Sequence, residues 1–168
     1  MKKITLFFCD VYGTFISSEI SKVNTNLINK FVSNLDSIRI CNGSDEVFFS
    51  FITLDNPEIV LSIEHQLNDA IVTKNINIGS HFCGDINKPL EIINYINYLK
   101  EHYIINQIYY ADDCEFYHSV LKELFIYFNS NDCINSIVPT VGGLSEINSI
   151  LEGILKSDID EKKGRINA

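Results

Sequence analysis

Ile4-Thr5-Leu6-Phe7-Phe8-Cys9-Asp10-Val11-Tyr12-Gly13-Thr14 is the stretch that decides how this chain is read. Residues 3–9 are mostly apolar, in a run rather than in alternation, which predicts a strand buried on both faces. The run stops at Asp10. Gly13 then allows a tight turn and a close backbone approach, and Thr14 adds a hydroxyl and an amide to the same loop. A buried strand that carries a carboxylate to its C-terminal tip is one way to present a nucleophile. Taken alone, an Asp at a strand end is more often a turn former, so the rest of the chain has to weigh in.

Outward from that strand, apolar runs alternate with helical spacing. Val23, Leu27, Ile28, Phe31, Val32 and Leu35 predict a helix over residues 21–37. Val47–Thr53 reads as a second buried strand, rich in aromatic and β-branched residues. Asp55-Asn56-Pro57 looks like a helix start ahead of Ile59, Ile63 and Leu67. Residues 76–82 predict a weaker strand, and Pro89 opens a helix running to about residue 101. Ile104–Ala111 is a further strand, followed at once by Asp112-Asp113. A helix over 114–128, a last strand over 134–139, a Gly142-Gly143 turn and a helix over 144–155 complete the order. The tail 156–168 is charged and polar and is expected to fray. The alternation predicts one α/β domain over 1–155, with a parallel five-stranded sheet between helical layers.

In such sheets a ligand sits beyond the C-terminal strand ends, where the strand order reverses. The residues ending the strands are Asp10, Thr53 and the Asp112-Asp113 pair. Carboxylates gathered on one rim repel unless a cation joins them. Magnesium suits that role, being a hard cation that retains waters for a substrate phosphate. Asp10 and Asp112 would each give an oxygen. Thr53 and the Gly13-Thr14 amides would hold anionic oxygens. Lys88, just ahead of the helix leading to the Asp112 strand, would balance the charge; Lys74 is its competitor, as Ser50 is for Thr53. Asp113 has an equally plain alternative, as N-cap of the following helix.

In order and context these residues resemble the haloacid dehalogenase (HAD)-like hydrolases, with a first motif Asp10-Val11-Tyr12-Gly13-Thr14, then Thr53, Lys88-Pro89 and Asp112-Asp113. The resemblance spans the chain to about residue 155. It implies a Rossmann-like HAD core without a sizeable cap, since little chain separates Asp10 from Thr53 or Thr53 from Lys88. It implies catalysis by Asp10, Tyr12, Thr53 and Lys88, with Asp10 as nucleophile. Gly13, Thr14, Thr53 and Lys88 would bind substrate. Magnesium would be held by Asp10, the position-12 carbonyl, Asp112 and Asp113. The implied reaction is a magnesium-dependent phosphatase step through an aspartyl-phosphate on Asp10. Tyr12 departs from the family phosphatases, which carry an acid/base Asp there. A phenol that titrates at about 10 supplies no carboxylate base at neutral pH. Two alternatives stay open on that account: a dehalogenase-like hydrolase acting on carbon, and a catalytically silent binding or regulatory protein.

Composition narrows the partners. The 168 residues are 46% hydrophobic and carry a net charge of -9 with a pI of about 4.8, which argues against nucleic acid. A phosphorylated small molecule or macromolecule remains the expected partner. No apolar stretch approaches the about 18 residues of a membrane span. Five scattered cysteines without a C-x-x-C pair suit a reducing cytoplasm better than a disulfide framework or zinc site. His81 and Cys83 read as strand-end residues. His65, His102 and His118 read as exposed or half-buried on helices. The aromatic wealth of residues 95–128 reads mainly as core, with homo-oligomerisation a further expectation.

Overall fold

A computed structural model describes residues 1–17, 23–72, 74–128 and 130–167, the side chains only as far as residue 164. Central strand β1 (Lys3–Cys9) is buried from Ile4 onward, as its mostly apolar run requires. It pairs in parallel with β2 (Glu46–Thr53) on one side and β5 (Ile104–Ala111) on the other. β3 (Ile76–Ile78) and the two-residue β4 (Phe82–Cys83) both lie against β2, while β6 (Ile134–Ile137) lies against β5. The order is β3-β2-β1-β5-β6, with every pairing parallel. Among the described residues the sheet thus has the five expected parallel strands in one path, with β4 as a short sixth strand beside β2. Gly79-Ser80 breaks the expected 76–82 strand, and β4 re-pairs further along β2 after the break.

Three of the described helices start where the sequence supplies a capping side chain. α1 (Thr25–Asn42) begins at Asn24, whose side chain accepts the Asn26 N–H, and ends at Gly43 in the left-handed conformation. That boundary lies several residues beyond the expected 21–37. α2 (Pro57–Ile71) follows an Asn56 cap with proline in its first turn. α3 (Lys88–Lys100) follows an Asn87 cap on the same plan. α4 (Glu115–Tyr127) follows directly on the acidic pair. α5 (Leu144–Asn167) extends well past residue 155. Ile154 and Leu155 still pack on the core, and Lys162 Nζ donates to the Cys41 carbonyl at 3.3 Å. Those contacts hold a segment whose composition alone suggested fraying.

Two apolar layers flank the sheet. Phe7 and Cys9 on one face join Phe31, Phe49, Phe51 and residues of α1, α2 and α5. Leu6, Phe8 and Tyr110 on the other join residues of α3 and α4. The alternation along β1 splits its side chains between them. Strand order reverses at β1, with β2 and β3 to one side and β5 and β6 to the other. The rim beyond β1 and β5 is thus the switch point at which α/β sheets bind ligands. Between Cys9 and Thr25 the described residues form a turn with a bridge between Tyr12 and Ile16. No helix of the described residues is long and apolar enough to cross a membrane.

Candidate active site

The pairing of β1 with β5, and of β5 with β6, continues into the rim. Asp10 N–H donates to the Ala111 carbonyl at 2.9 Å, and Asp112 N–H to Ile137 at 3.1 Å. These bonds fix where the two carboxylates stand. Lys88, the first residue of α3, lies between them with Nζ 3.0 Å from Asp10 Oδ1 and 2.8 Å from Asp112 Oδ2. All three are buried. A charge cluster this dry costs desolvation that its internal attractions only partly repay. Lys74, the competing lysine, is exposed.

The surroundings hold the cluster in place. Tyr110 Oη donates to Asp112 Oδ2 at 2.6 Å, and the Cys114 N–H donates to Asp112 Oδ1 at 2.9 Å. His118 Nε2 lies 2.8 Å from the Asp112 carbonyl, which can only accept, so Nε2 carries the proton. The ring of Tyr117 lies under Lys88 Nζ, 4.9 Å from its centroid. Thr14 Oγ1 bridges the two halves of the rim. It donates to Asp10 Oδ2 at 3.3 Å, lies 3.4 Å from Asp113 Oδ1 and accepts the Asp113 N–H at 3.0 Å.

Burial dominates the electrostatics. It pushes the Asp10 carboxyl up, Asp112 pushes it further, and Lys88 offsets this only in part, leaving it at about 6. For Lys88 burial acts downward, but attraction to Asp10 and Asp112 outweighs it and holds the ammonium above its ordinary value. Asp113 is raised by burial and by Asp112. Burial lowers His118, which favours the neutral ring. One oxygen each from Asp10, Asp112 and Asp113 falls within a set whose members lie within 4.8 Å of one another. Three carboxylates against one ammonium leave an excess of negative charge. Hard oxygen donors at that spacing form a set that could hold a metal ion, because each carboxylate keeps a lone pair beyond its present bonds.

The rim thus brings together Asp10, Lys88, Asp112, Asp113 and Thr14. Other expected members do different work. Thr53 ends β2 as expected, but its hydroxyl donates to Asp55 Oδ2 at 2.7 Å and accepts the Asp55 N–H. The short loop after β2 captures it locally. The Gly13 and Thr14 amides, expected to face an anion, donate inside the turn to Ile16 and Val11 carbonyls. Asp113 is not the cap of α4. Cys114 holds that position without a side-chain bond, and the Asp112 carboxylate takes its amide. Tyr12 is 38% exposed at the mouth. His65 and His102 are exposed as expected, whereas His118 is buried. His81 accepts the Phe51 N–H at Nδ1, tying the β3–β4 connection to β2.

Gly13 is required twice over. Its φ is +78°, and a Cβ there would stand 2.5 Å from Asp113 Oδ2. Gly142 presses from the far side: a Cβ on it would meet the Gly13 carbonyl oxygen at 2.5 Å. Glu146 braces that loop by accepting the amides of Thr140, Val141 and Gly142. The Glu146 brace and Tyr110 escaped the sequence reading. Tyr110 carried a usable signal, since residues two apart on a strand share a face and Tyr110 precedes Asp112 by two.

Compared with family models, curated proteins and solved structures, the chain matches none. What the rim can do follows from its own groups.

Proposed function

We propose that this chain is a HAD-like hydrolase, a magnesium-dependent phosphatase with Asp10 as its nucleophile. The observation that carries the reading is the buried Lys88 bridge between Asp10 and Asp112, with Asp113 beside it, at the sheet's switch point. Such a cluster is a poor way to stabilise a fold and a good way to arrange charge for reaction. Magnesium held by Asp10, Asp112 and Asp113 would screen the negative rim and draw charge from a phosphoryl oxygen.

The chain's own groups supply the rest. Lys88 orients Asp10 by its bond to Oδ1, and Thr14 holds Oδ2. An Asp10 oxygen attacks phosphorus, the ester P–O bond breaks and the leaving oxygen departs with the bonding pair. Water then attacks the aspartyl-phosphate and frees inorganic phosphate and the carboxylate. Tyr110 and His118 act through Asp112 as positioning residues.

A catalytically silent binding protein is the second reading, favoured by the Thr53 hydroxyl being committed to Asp55. A phosphoester panel with and without magnesium separates the two. The phosphatase reading expects metal-dependent phosphate release by the wild type and none by Asp10→Asn. Full turnover in Asp10→Asn overturns it. Halide release without metal from a haloacid, in place of phosphate release, would favour chemistry on carbon.

A further inference from the structure

An open groove of about 350 Å³ lies between the starts of α3 and α4, lined by Ile86, Asn87, Pro89, Phe116, Tyr117 and Val120. Five of these six residues are apolar or aromatic. Phe116 is 69% exposed, two residues before a buried His118 and three after the Asp113 carboxylate. A large exposed aromatic beside a charged centre on an acidic chain calls for an explanation.

Tyr117 is shared between the groove and the surroundings of the reaction centre. The same ring that lies under Lys88 Nζ also forms part of the groove wall. Lys88 and Pro89 occupy consecutive positions, one in the centre and the other in the groove.

Charge argues that the groove is needed. Lys88 is the only cation bonded to the rim carboxylates among the described residues, and Asp10 and Asp112 already share it. A phosphate approaching this rim finds more negative than positive charge, and a divalent ion only brings three carboxylates and one ammonium to balance, leaving no net positive charge to hold it. Binding energy must then come from the non-reacting part of the substrate. The leaving-group chemistry agrees. Tyr12, in the turn beyond Asp10, is a phenol, a poorer proton donor to a departing oxygen than a carboxylic acid. A phenolate departs without such help far more readily than an alkoxide, because a phenol, titrating at about 10, is much the stronger parent acid.

Resting on the phosphatase reading above, we infer that the groove binds the aromatic ring of a small aryl phosphate monoester, seated against Phe116 and Tyr117 with its phosphate on the Asp10–Lys88 centre. Ring-on-ring packing adds to area burial at such a site. Phe116 and Tyr117 stand with ring centroids 6.0 Å apart at 60°, which offers a flat guest one face and one edge.

The test compares phenylphosphonate with methylphosphonate, both inert to hydrolysis, on the wild-type protein with magnesium by titration calorimetry. The expected result is a preference for the phenyl ligand of about tenfold or more, lost in Phe116→Ala. That side chain is largely exposed, and an unchanged melting temperature checks the fold. Equal affinities in the wild type overturn the inference, as does a preference that survives Phe116→Ala. Turnover distinguishes the two claims. If phenyl phosphate and glycerol phosphate are hydrolysed with equal kcat/KM and KM, the groove assignment fails and the phosphatase stands. If neither is hydrolysed while the phosphonate preference holds, the groove stands and the phosphatase fails. A phosphotyrosyl peptide favoured at least about tenfold over phenyl phosphate would overturn the small-molecule occupant.

Discussion

Two buried regions meet at the end of β1, and they are built on opposite principles. Beneath the rim, Phe7, Phe15, Phe31, Phe49 and Phe51 pack ring against ring, with Phe49 and Phe51 4.8 Å apart at 90° and Phe15 and Phe31 5.4 Å apart at 85°. Each of those rings gains from burial and loses nothing by it. One residue beyond β1 and β5, Asp10 and Asp112 are buried together with Lys88 at the start of α3, and burial costs all three desolvation. The phenylalanine cluster explains why the sheet holds together. Apolar residues would serve cohesion as well as the carboxylate–lysine cluster or better, which is what supports the proposed chemistry there.

Mutation breaks the two regions differently. Phe49→Ala should cost about 3–5 kcal/mol of stability, measured by denaturant unfolding, because a cavity replaces the ring. Lys88→Met alone should cost a similar about 3–5 kcal/mol by leaving two buried carboxylates unpaired. The contrast lies in repair. Adding Asp10→Asn and Asp112→Asn to Lys88→Met should recover most of that loss, since no buried charge then remains unpaired. No polar substitution elsewhere should rescue Phe49→Ala. A triple variant as unstable as Lys88→Met would show the rim to be cohesive after all.

Acidity gives a smaller and more selective effect. The Asp10 carboxyl is raised from 3.8 to about 6 by burial and by Asp112. Its contribution to stability is therefore fully present below the unfolded value and is lost as pH rises through about 6. Asp113 is shifted in the same direction. Without divalent metal, melting temperature should fall across that window, and Asp10→Asn should flatten the fall. Turnover should run the other way, rising as the nucleophile ionises, though at lower pH than the metal-free window because magnesium beside Asp10 favours its charged form. Stability and activity moving oppositely with pH is the signature of a rim strained for function; a Phe49 variant should shift both curves without changing their shape.

The strands and helices were legible because each writes its own burial pattern into the chain. The buried runs Lys3–Cys9 and Glu46–Thr53 and the proline-marked starts of α2 and α3 stand where their residues predict. The carboxylates and the lysine were legible too, because strand ends of a parallel sheet converge on one rim. Hydroxyl and amide partners were not. Thr53 turns to Asp55, and the Gly13 and Thr14 amides close their own turn. Such choices depend on loop conformation, which carries no periodicity. The break at Gly79-Ser80, the burial of His118 and the length of α5 likewise depend on contacts with distant segments.

The proposed route requires a covalent bond between phosphorus and Asp10. Wild-type protein mixed with magnesium and phenyl phosphate, acid-quenched and digested, should show a phosphoryl group on the peptide containing Asp10 by mass spectrometry, and Asp10→Asn should show none. Phosphate release without that adduct, or with the phosphoryl group on another residue, would contradict it.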